Sequence, residues 1–213
     1  MKKLIAMLLA LVLVMGLVAC GNNTDTTPST TEGTEATTEG TEGTTGSVED
    51  TTAAAVEPNE ATVVFNNIWA GYPEASAFFA MGGDMNNMVD NAPGNYSLTD
   101  EGLVSTFHLP EDQVANIACL SSLMHGMMAN NFTGAVYKLN VGADVTAFVD
   151  AMHESLANTQ WLCGMPEKML IAVIDTEYVF VAFGLNDILN PMQTAMTDAY
   201  ADAEIKYNEA IAG

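Results

Sequence analysis

The segment LMHGMM sets Met124, His125, Met127 and Met128 within five residues, and MGGDMNNM adds Met81, Met85 and Met88. Thioether sulfur and imidazole nitrogen suit Cu(I), a soft ion encountered outside the cytoplasm. Extracytoplasmic copper handling is therefore one function these residues would serve. The 14 methionines are nevertheless spread along the whole chain, several on helix faces where Met fills irregular core gaps. Packing is the simpler reading, and the chain is expected to carry no cofactor.

A second cluster, Asp84, Asn86, Asn87, Asp90 and Asn91, offers oxygen atoms of the kind Ca²⁺ prefers. The calcium-loop pattern fails, because Met88 stands where a further ligand belongs and no glutamate closes the loop. Turn side chains bonding their own backbone account for the same residues. Cys163 with His125 or His153 can be drawn as a nucleophile and base, which makes a thiol-dependent or other hydrolase the third alternative. No local signature supports it, and no phosphate loop, paired zinc ligands or serine elbow occurs, so the protein is expected not to be an enzyme. Trp161, in NTQWLCGMP, follows a helix end and either caps the core or presents a ligand-stacking face. A small-molecule pocket would lie where its loop meets the turn of Asn130 and Asn131 and the loop beginning at Asp84.

These residues must be positioned by a chain that opens with a targeting segment. Met1, Lys2 and Lys3 form a positive start, and Leu4 to Val18 is an apolar run too short to favour a spanning helix. It ends in Leu17, Val18, Ala19 and Cys20, which look like a bacterial lipobox. Residues 1–19 read as a lipoprotein signal peptide and Cys20 as the acceptor of diacylglycerol, anchoring the chain to the extracytoplasmic face of the cell membrane. Two or more acyl chains such as palmitate hold stably where one is marginal.

Residues 20–58 continue as a Thr, Glu and Gly tract with several acids, no base and no aromatic side chain. It lacks the apolar area that would offset its ordering entropy, and reads as a disordered tether spanning about 35 Å. The formal charge of −22, with only five basic residues, excludes a nucleic-acid footprint. With Cys20 consumed by processing, Cys119 and Cys163 remain as a candidate disulfide, or as two buried thiols.

Residues 59–213 read as a single α+β domain. Ala61, Val64, Phe65, Ile68 and Trp69 fall at helical spacing after an Asn59 cap, with Gly71 and Pro73 as the stop. A second helix is expected over Glu74–Met81, then an irregular GGDMNNMVDNAPGNY. QVANIACLSSLM suits either helix or strand, and FTGAVYKLNV suits a strand. Val145, Phe148, Val149, Met152 and Leu156 mark a helix capped by Asp144. The runs KMLIAVI and YVFVAFG predict a buried antiparallel hairpin. Asn190, Pro191 and Gln193 predict the start of a last helix, and the tail AEIKYNEAI is either helix or edge strand. The sum is a two-layer fold: about four antiparallel strands with helices on one face, preceded by one or two N-terminal helices.

With the lipobox, the stalk, LVSTFHLPEDQVANIACLSSLMHGMMANNFTGAVYKL and TQWLCGMPEKMLIAVIDTEYVFVAFG in view, the chain resembles the small Gram-positive lipoproteins carrying domain of unknown function 4358. The resemblance covers about Ser97 to Thr197 and rests on element order and loose patterns. It implies an extracytoplasmic α+β domain with no assigned activity. A membrane-anchored binding or interaction module is therefore expected, its partner an unknown protein, envelope component or small solute.

Overall fold

The computed structural model describes residues 56–162 and 164–211. The segments read as signal peptide and most of the one read as tether, with Cys20 and Cys163, lie outside the described residues. Among the described residues no helix is long and apolar enough to cross a membrane.

Helix α1, Glu60–Ala70, begins where the Asn59 side chain accepts from the Thr62 N–H and ends at Gly71, burying Ala61, Val64, Phe65 and Ile68. The expected helix over Glu74–Met81 does not form. A single 3₁₀ turn at Glu74–Ser76 gives way to strand β1, Ala80–Gly82. The Gly-rich segment after it holds two more short strands, β2 (Val89–Asp90) and β3 (Gly94–Tyr96). Local propensity is overridden there by pairing to a longer strand, β4 (Ile117–His125), whose outer edge β1 and β3 share in succession.

A short helix α2, Leu103–Phe107, and a 3₁₀ turn precede β4. Strand β5 (Phe132–Leu139), helix α3 (Val145–Ala157, capped by Asp144), and the hairpin of β6 (Lys168–Ile174) and β7 (Tyr178–Gly184) follow at the expected places. Helix α4 runs Asn186–Ala199, a turn earlier than Asn190 and Pro191 suggest, with Pro191 inside it. Its start is set by a distant group: the Glu167 carboxylate accepts from the Asn186 N–H at 2.9 Å. The tail resolves as an edge strand, β8 (Glu204–Ala210).

The sheet is antiparallel throughout, in the order β2-β1-β4-β5-β7-β6-β8 with β3 also on β4. It has eight strands rather than four, because the short strands and β8 carry no strong apolar alternation to announce them. Its helices cover both faces, not one. On one side α1 and α4 pack on Leu123, Phe132, Val136, Leu170 and Phe180. On the other, α2 and α3 pack on Leu120, Tyr137, Met169, Ile171 and Phe183. Continuous apolar strands have this consequence: side chains alternate between faces, so a run with no polar positions must be covered twice.

Candidate functional site

The residues with the most evident ligand chemistry are mostly engaged in holding the fold. His125 lies flat on Phe78, ring centroids 5.7 Å apart, and its Nδ1 accepts the backbone N–H groups of Met127 and Met128 at 3.2 and 3.3 Å. Only Nε2 remains for any ligand. Met124 stands directly opposite Met81 across β4 and β1, while Met127 and Met128 project from the following turn into solvent. Asp84 is buried, and its carboxylate is taken up by the N–H groups of Asn86, Asn87 and Ser97 and by the Asn87 amide. It organises the loop after β1.

Trp161 packs between His108 and Phe183, at 4.6 and 5.0 Å between centroids, against the core beneath α2 and α3. Its Nε1 is buried without a partner among the described residues. Burial also lowers the pKa of His108. Asn130 does meet the Trp161 connection, donating from Nδ2 to the carbonyls of Leu162 and Gly164 at 3.0 and 2.8 Å. Asn131 faces the other way, its carbonyl accepting from the Leu185 N–H. The loop of Asp84 is not joined to them.

Cys119 on β4 pairs in register with Lys138, which pairs with Tyr178 at the start of β7. The neighbours of Cys163 are held by Asn130, beside Gly184 at the far end of that strand. The expected Cys119–Cys163 disulfide has its second cysteine outside the described residues.

A cavity lies elsewhere, between the first turns of α3, the β6–β7 turn and β8. It measures about 640 Å³. Val145 and Val149 of α3 and Val173 of β6 form an apolar floor, with Tyr207 of β8 as a wall. Asp150, Asp175, Asp202 and Glu204 line it as well, against one lysine, Lys206.

Lys206 is already paired with Glu204, and this ammonium holds the Glu204 carboxyl below the usual carboxylate range. Asp150 accepts the Tyr207 hydroxyl at 2.9 Å, which raises the phenol pKa. The opposite support of Tyr207 is His153, stacked on it at 3.8 Å and 6°, whose Nε2 bonds Glu209 at 2.6 Å. The wall is thereby fixed between α3 and β8. Asp175 and Asp202 accept no side-chain hydrogen bond from a described residue.

The turn that carries Asp175 is unusual in itself. Asp175 and Thr176, the first two of the three residues joining β6 to β7, have φ of 49° and 58°, in the left-handed region that Gly and Asn ordinarily supply. A β-branched Thr at positive φ is costly. That mismatch, Asp-Thr between two apolar runs, was the one signal in the sequence that could have drawn attention here. The four acids stand 25, 27 and 2 residues apart in order, a spacing with no motif in it. No family model, curated protein or solved structure matches the chain, so its resemblance over Ser97 to Thr197 rests on the sequence patterns alone.

Proposed function

We propose that this chain is a lipid-anchored extracytoplasmic binding protein, held at the membrane by Cys20, whose groove between α3 and β8 takes a cationic organic ligand with an apolar portion. The observation that carries this reading is the groove. Its volume falls in the range of small-molecule pockets, and its apolar floor and few polar groups are what such pockets present. Four carboxylates against one already paired lysine favour a positive charge on the ligand, and the three valines favour a hydrocarbon part. On this reading residues 20–58 act as the spacer between bilayer and domain.

Titration of the full chain with phenethylamine, and with phenylpropionate as its anionic counterpart, tests the groove. The amine is expected to bind and the carboxylate not. Asp175→Asn and Asp202→Asn are each expected to weaken the amine about 3- to 10-fold, as loss of one partly exposed charge partner would. Equal binding of both probes, or indifference to both variants, would overturn the proposal. Intact mass of the Cys20 peptide separately tests the anchor, where absence of a diacylglyceryl adduct would remove it.

A further inference from the structure

The groove between α3 and β8 has a direction, set by the register of β8 on β6. The two strands run antiparallel, with Ile171 opposite Tyr207 and Val173 opposite Glu204. Asp175 lies two residues beyond Val173 on one strand and Asp202 two residues before Glu204 on the other, so both stand at the same end of the pair. The levels of Asp175 and Tyr207 are four residues apart along β6, about 13 Å.

Between those levels β8 is bulged. The register shifts between Ile171 and Ala172, which leaves Lys206 as the extra residue on β8. A bulge re-aims the side chains beside it, and here Glu204, Lys206 and Tyr207 all line the groove.

Charge is unevenly distributed over this length. At one end Asp175 and Asp202 accept no side-chain hydrogen bond from a described residue. In the middle Lys206 neutralises Glu204, with Val173 of the apolar floor on the same level. At the other end the Tyr207 hydroxyl donates to Asp150 Oδ1 at 2.9 Å, which leaves the carboxylate charged and its Oδ2 without a partner among the described residues. The groove is therefore negative at both ends and neutral between them.

We propose that the ligand of this groove is a linear aliphatic diamine, with one ammonium group at each acidic end and its methylene chain along the valines. The proposal rests on the groove being the binding site and names the ligand class. A monocation leaves one acidic end uncompensated, and an inorganic cation leaves the valine floor uncovered. A methylene chain lies against such a floor as the stem of a lysine lies along apolar surface. With an N–H···O contact of about 2.8 Å allowed at each end, the span calls for ammonium groups roughly 8–12 Å apart, the reach of about six to eight methylenes.

The test is calorimetric titration of the full chain at fixed ionic strength with 1,3-diaminopropane, 1,6-diaminohexane and 1,8-diaminooctane. The matched control is 8-amino-1-octanol, which keeps the length and one of the two charges. The six- and eight-carbon diamines are expected to bind at least about threefold tighter than the amino alcohol, as a second partly exposed charge pair would provide. 1,3-Diaminopropane is too short to reach both ends and should bind no better than the amino alcohol. Asp150→Asn should lower 1,8-diaminooctane to the amino alcohol's level. The length dependence is read on the unaltered chain, so it stands whether or not that variant keeps the Tyr207 wall in place.

Failure of both phenethylamine and the diamines to bind would overturn the groove as a cation site, and this proposal with it. Binding of phenethylamine with 1,8-diaminooctane no tighter than 8-amino-1-octanol would overturn the diamine alone. Equal affinity for the three-carbon and eight-carbon diamines would place both charges at one end and overturn the two-ended arrangement. Displacement of 1,8-diaminooctane by magnesium at equal concentration would overturn it in favour of a diffuse acidic surface.

Discussion

Tyr137 shows how a single polar atom can sit against the fold that surrounds it. The side chain is fully buried among Phe107, Phe148 and Tyr96, and its hydroxyl has no partner among the described residues. Burial drives the phenol pKa far upward, so the group stays protonated, and its O–H still lacks an acceptor. An unpaired buried hydroxyl costs about 1–3 kcal/mol. Tyr137→Phe is therefore expected to raise stability by about 1 kcal/mol in urea unfolding, and a loss of stability would show that the hydroxyl is satisfied.

His108 acts through its charge. Burial favours the neutral ring, so the folded-state pKa lies below the unfolded value of ~6.5. The unfolded chain then binds the proton first, and the contribution to stability, complete above that value, is lost as pH falls through it. Asn tolerates the left-handed φ of 52° at this helix end. His108→Asn should lose less stability than the wild type between pH 7.5 and pH 5, measured by unfolding midpoints.

At the scale of elements, the strands are placed by close backbone approaches as much as by side chains. Gly184 closes β7 with φ of 155°, and a Cβ there would be driven into the Asn131 carbonyl. Gly184→Ala should cost more than about 2 kcal/mol, the range of strained backbone substitutions, and a near-neutral result would mean the β5 turn yields freely. The turn before β5 also positions Asn130 against the Trp161 connection, so its displacement should also loosen that connection.

Helices α1 and α3 and strands β5 to β7 are legible because periodicity and caps are local. Asn59 and Asp144 sit within three residues of the N–H groups they accept. Helix α4 starts early because its first N–H is bound by Glu167, 19 residues away, which no local pattern can reveal. Likewise β1 to β3 exist only because β4 offers an edge to pair with.

For the whole molecule, charge is the dominant long-range feature. With 19 acids and three lysines in residues 59–213, the domain repels itself. Raising salt from about 20 to 500 mM shortens the Debye length from roughly 20 Å to under 5 Å. The melting temperature of the full chain is expected to rise over that range, and an unchanged or falling value would show that paired charges outweigh the repulsion. Binding of a cation in the groove should weaken over the same range, which separates the two effects in one titration.

Composition and short-range order in the sequence were enough to establish the α+β class, the central hairpin, two capped helices and an edge-compatible tail, because each depends on residues within a few positions of one another. The lipobox-like run ending at Cys20 and the acidic Thr, Glu and Gly tract after it are likewise patterns of consecutive residues. The two-sided covering of the sheet and the groove are not. Asp150, Asp175, Asp202 and Glu204 converge only once α3 packs on the sheet and β8 pairs with β6. Such clusters are products of strand pairing between distant segments, and only the tertiary structure brings them together.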